Sequence, residues 1–90
     1  MAQNYVVALA AATDTLVSAV NRRRKWLLII NDGANDAYLM LEGKTAVVNQ
    51  GIRLDAAGGA WEVTLTNPYY GEVRGISTGG STLILSEESA

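Results

Sequence analysis

Four cations stand in a row at Arg22, Arg23, Arg24 and Lys25, and they are the densest charge in the chain. Adjacent cations can hold phosphates, giving a salt-dependent attraction to nucleic acid. Only Lys44, Arg53 and Arg74 add positive charge elsewhere, and the net charge is −2. A globally basic nucleic-acid binder is therefore excluded, and no nucleic-acid partner is expected. Two other uses fit such a run: a solvated strand entry, or a row that meets a partner protein's carboxylates.

Carboxylates offer a second chemistry. Asp32 and Asp36, within Asn31-Asp32-Gly33-Ala34-Asn35-Asp36, could ligate calcium, but the twelve-residue spacing and closing glutamate of an EF-hand are missing. Asx and Gly residues make turns without any metal. Asp55 with Glu62 or Glu72 could form a glycosidase pair, which needs only two acids at a set separation. Nine acidic residues in a small β-protein supply such pairs by chance. Trp61, Tyr69 and Tyr70 could stack on a sugar, although Trp61 falls on the inward phase of its strand. Tyr69 and Tyr70 follow Pro68 at a more open corner, where tyrosines commonly meet other proteins.

Histidine and cysteine are both absent. Histidine acid–base catalysis, Ser-His and Cys-His nucleophile pairs, disulfides and zinc sites of the usual ligands are thereby excluded. No cofactor or metal motif is present, and the expectation is a protein that is not an enzyme. The apolar segment near the N-terminus has its cations after it rather than before, the wrong order for a secretion signal. No apolar run is long enough to span a bilayer as a helix. The expectation is a soluble chain made in a cytoplasm, kept whole, with no membrane partner.

The elements that position these residues read as strands. Trp26-Leu27-Leu28-Ile29-Ile30 is too short for a membrane span and has the composition of a buried strand. It stops at Asn31-Asp32-Gly33, residues that tolerate positive φ, and Ala37–Leu41 follows; together they are expected to form a central β-hairpin. Residues 4–11 read as a strand or a short helix, and residues 16–20 as a strand. Further strands are expected at 45–49, 52–54, 61–66, 72–77 and 81–86, with 87–90 a frayed tail.

Seven or eight short strands separated by turn residues predict an antiparallel β-sandwich of jelly-roll-like topology. Residues 13–90 form its single domain, and residues 1–12 an N-terminal arm or edge strand. The expected core is Trp26, Leu28, Ile30, Leu39, Leu41, Val47, Trp61, Val63, Leu65, Ile76 and Leu83. A hydrophobic share of 49% against 18% charged suits a chain with part of its surface covered by partner subunits.

The order of signals along the chain carries a resemblance. Asn21-Arg22-Arg23-Arg24-Lys25-Trp26 to Asn31, Ala37-Tyr38-Leu39, Gly51-Ile52-Arg53-Leu54, Gly58-Gly59-Ala60-Trp61-Glu62, Gly71 to Ser77 and Leu83-Ile84-Leu85 follow one another. This series resembles small β-sandwich structural proteins of tailed bacteriophages, over roughly residues 13–87. The resemblance implies a virion component, most of all a capsid decoration (cement) protein that stabilises the head, or else a head-fibre or tail accessory module. Its implied partners are other copies of itself, commonly as a trimer, and the major capsid protein. A carbohydrate-binding module of a tail or fibre is the alternative. The expected interface residues are Tyr5, Val6 and Val7, lying on a neighbour by strand addition, with Arg22, Arg23, Arg24, Tyr69 and Tyr70.

Overall fold

The computed structural model describes residues 2–90, which form eight strands and no helix. They are β1 (Ala2–Leu9), β2 (Thr15–Ser18), β3 (Arg24–Asn31), β4 (Ala37–Leu41), β5 (Ile52–Leu54), β6 (Ala60–Val63), β7 (Val73–Ile76) and β8 (Ser81–Ser89). Two antiparallel four-stranded sheets result, ordered β1-β8-β3-β6 and β2-β7-β4-β5. The pairs nest: β1 lies on β8, β2 on β7, β3 on β6 and β4 on β5. Every connection except β4 to β5 carries the chain from one sheet to the other.

The hydrophobic effect explains why the sheets face each other. Leu27, Ile29, Val63, Leu83 and Leu85 from the first sheet join Val17, Ala37, Leu39, Leu54 and Val73 from the second in one apolar layer. Such a layer is compatible with a β-sandwich. Leu39, Val63 and Leu83 are buried in this layer, as expected, whereas Ile76 is buried outside it, in a separate cluster with Tyr38 and Ala46. Leu41 and Trp61 are partly buried against the same layer.

Strand β3 runs in the opposite phase to the one expected. Leu27 and Ile29 are fully buried, while Trp26, Leu28 and Ile30 alternate with them on the outer face, half-covered. The run is apolar in both phases, so periodicity could not choose a face. Its ends choose instead. Arg24 and Asn31 are both buried, yet their odd separation would send them to opposite faces of a regular strand. A register shift between Arg24 and Trp26 absorbs the extra residue, and both polar ends point inward.

The expected hairpin between β3 and β4 does not form, because these strands belong to different sheets. Residues 31–33 keep negative φ. Gly33 is needed for closeness: a Cβ there would collide with the Ser81 side chain and the Thr82 amide. Val47 and Leu65 are exposed rather than core. Residues 45–49 form no strand, and Ala46 is held by its amide donating to Asp14 Oδ1 at 2.9 Å. After Val63 the chain curls into a tight turn in which Thr64 and Asn67 exchange backbone hydrogen bonds, so the alternation that would bury Leu65 ends.

The C-terminal residues are not a frayed tail. β8 continues to Ser89, with Glu87 buried at the inward position after Leu83 and Leu85. Residues 2–9 are ordered as β1, an edge strand in continuous register with β8 over eight residue pairs. Met1, part of the expected arm, lies outside the described residues.

Candidate interaction surface

Burial splits the basic row. Arg24 is 2% exposed, while Arg22, Arg23 and Lys25 face solvent. An arginine presents five N–H donors, and all five are used here. Nε donates to Glu87 Oε2 at 2.7 Å; Nη1 donates to the carbonyls of Tyr69 and Gly71; Nη2 donates to Ser18 Oγ and the Ala19 carbonyl. Asn21 Nδ2 also donates to Glu87 Oε2 and to Ser89 Oγ, and the Tyr5 hydroxyl donates to Ser18 Oγ at 3.3 Å. Burial, offset in part by that bond to Ser18, holds the Tyr5 phenol above its ordinary pKa, and the Glu87 charge adds to the rise. This cluster ties β3 and β8 of one sheet to the end of β2 and to the 69–71 corner. A partner could not use Arg24 without unfolding it.

Asn31 does the corresponding work at the far end of β3. Its Nδ2 donates to the carbonyls of Asn35 and Leu54, and its Oδ1 accepts from the Gly33 amide and Ser81 hydroxyl. Both sheets are represented in that set.

The two tyrosines of the corner diverge. Tyr69 is half-buried: its hydroxyl donates to the Glu72 carbonyl at 2.7 Å and accepts from the Glu42 amide. Its ring meets Trp61 edge-on, with centroids 6.2 Å apart. Tyr70 is exposed and lines an open groove of about 340 Å³ with Val20, Arg22 and Gly71. No stacked aromatic pair results.

Four of the five proposed acids have a partner within the fold, and Asp32 is exposed. Exposed Asp55 accepts from Arg53, Glu72 accepts from Arg74, and Glu62 accepts from the Trp26 indole N–H. Asp36 accepts from the Ala56 amide. Among the described residues no group of three acidic side chains is placed to hold a metal. Asp14 takes both Arg74 Nε and Nη2, and this pairing, with the Ala46 amide second, lowers its pKa below the ordinary value.

The surface that stands out is one that composition did not single out. On the outer face of the first sheet, Val6 lies opposite Ile84, Ile84 opposite Ile30, and Ile30 opposite Ala60. An unbroken apolar row thus crosses all four strands, with Val6 63% and Ile84 37% exposed. The next row, Asn4–Ser86–Leu28–Glu62, is largely polar, and the Ser86 hydroxyl donates to Asn4 Oδ1. The signal was in the sequence: β3 is apolar in both phases, which only a strand covered on both faces requires. Of the expected interface residues, Val6 lies on this row, and Tyr5 and Val7 point inward, half-buried. Arg22, Arg23 and Tyr70 lie exposed away from it, and Arg24 and Tyr69 are committed to the fold. No family model, curated protein or solved structure matches this chain.

Proposed function

We propose that this chain is a non-catalytic structural module, a bacteriophage capsid decoration protein that reinforces the head through protein–protein contacts. We further propose a jelly-roll-like topology. The nested pairing β1–β8, β2–β7, β3–β6 and β4–β5 supports it, since a jelly roll amounts to one long hairpin rolled into two sheets. The observation that carries the functional reading is the apolar row Val6–Ile84–Ile30–Ala60. Antiparallel sheets ordinarily turn a polar face to water, and a continuous apolar one marks a contact with another protein. The occupant is the major capsid protein of the mature head, the partner that the family resemblance implies.

The test is co-sedimentation with purified phage heads. The parent protein binds expanded heads and not immature shells. Ile84→Lys, which places a charge on the row from a solvent-facing position, weakens binding at least about tenfold, the scale of a desolvated contact residue. Circular dichroism of this variant stays at the parent spectrum. Equal binding by parent and variant would remove the row from the reading; no binding to any head form would remove the reading itself.

A second reading has one observation in its favour. Tyr70, Val20 and Arg22 line an open groove in which an exposed ring could stack on a sugar. Glycan binding that disappears with Tyr70→Ala would favour a carbohydrate-binding module instead.

A further inference from the structure

The four sheet edges are not alike. β2 is four residues long and carries a register irregularity between Leu16 and Ser18. β5 is three residues long with exposed Arg53 at its middle, and β6 is four residues long with exposed Glu62. Shortness, bulges and charges are the devices that keep a sheet edge from pairing with another chain. β1 has none of them. It is eight residues long, pairs with β8 in unbroken register, and contains no proline and no charged residue. No charged side chain precedes Asp14 in the sequence.

We infer that β1 pairs antiparallel with β1 of a second copy, joining two four-stranded sheets into one of eight strands about a two-fold axis at Val6. Three features select a second copy as the occupant. First, an uncharged strand meets its own image without juxtaposing like charges. Second, parity fits. An antiparallel pair about a residue sets positions of even sum opposite one another, so inward residues meet inward residues. With Val6 on the axis, Tyr5 stands opposite the other copy's Val7, and each covers the half of its partner that the edge leaves open. Third, Val6 opposite Val6 runs the row Ala60–Ile30–Ile84–Val6 straight into its symmetry copy, doubling the apolar platform.

The arrangement closes at two. One edge pairing antiparallel with itself is an isologous contact, and no third copy can join through it. It therefore differs from the trimer implied by the family resemblance, and it holds whether or not the protein binds a phage head.

Analytical ultracentrifugation of the intact chain gives the first readout: a particle twice the 9.6 kDa chain mass. Val6→Lys, at a side chain already facing solvent, sets two ammonium groups opposite each other and raises the dimer dissociation constant at least about tenfold. Mixing Val6→Lys with Val6→Glu restores a dimer containing one of each. Because the chain has no cysteine, Val6→Cys supplies an independent reporter. It oxidises to a disulfide-linked dimer, whereas Leu16→Cys, also exposed but on the β2 edge, forms no disulfide cross-link. A parent that is monomeric, with the β1 edge then left for a strand of another protein, would overturn the inference. So would a trimer, or equal cross-linking at positions 6 and 16.

Discussion

Strand β3 is held at both ends by a buried polar side chain, and the two ends do the same job with different chemistry. At one end Arg24 satisfies five acceptors and neutralises Glu87; at the other Asn31 completes four hydrogen bonds with no formal charge. Both link the two sheets. The charged end must desolvate two ions, which its mutual attraction and extra hydrogen bonds only offset, so it is stable when complete and fragile when half-made. The neutral end forfeits hydrogen bonds one at a time, and water can replace some of them. Joining two sheets does not require charge; intolerance of substitution is what charge adds.

The largest expected effect tests that asymmetry. Arg24→Ala strands Glu87 in a buried site and should cost about 3–5 kcal/mol, read as a lower urea midpoint. Arg24→Lys should recover only part of this, because three donors on a point charge cannot meet five acceptors. Asn31→Ala comes next, with a loss of roughly 2–3 kcal/mol from the hydrogen bonds and buried groups it leaves unpaired. If Asn31→Ala proved costlier than Arg24→Ala, the contrast drawn between the two ends would collapse.

The smallest effect is the one that depends on pH. Asp14 has a folded pKa below its ordinary value, near 3.9, because Arg74 favours its ionised form. Its contribution is therefore fully present above the unfolded pKa and is lost as pH falls through the folded one. The pair is a quarter exposed, so about 1 kcal/mol is a fair scale. Asp14→Asn should lie below the parent by that amount at pH 6, and the gap should narrow at pH 3. A gap of equal size at both pH values would show that the carboxylate's charge is not what stabilises this contact.

Class was legible in the sequence because alternation and turn residues are local signals. Trp61-Glu62-Val63 shows which side faces in, and the structure agrees. Phase in β3 was not legible, since Trp26 to Ile30 offers no polar residue to mark the outer face. The bulge that settles it serves Arg24, and an arginine reads as exposed unless its partner is known. That partner, Glu87, lies 63 residues away. One hint was available: Leu83-x-Leu85-x-Glu87 keeps the inward phase to its end, which marks Glu87 as a buried acid in need of a cation. The β3–β4 hairpin failed for a similar reason. Neighbours in sequence are the default expectation, whereas in this fold five of the six sheet pairings join strands that are not consecutive.

The nesting of the strands has a consequence for how the protein comes into being. β8 sits between β1 and β3, so the first sheet has a gap in its middle until residues 81–89 leave the ribosome. Until then the uncharged opening strand has no mate within its own chain, and nascent chains on one messenger are close enough to find each other. Slow synthesis of the last stretch should therefore favour entanglement between neighbours, while prompt completion lets each chain close on itself first.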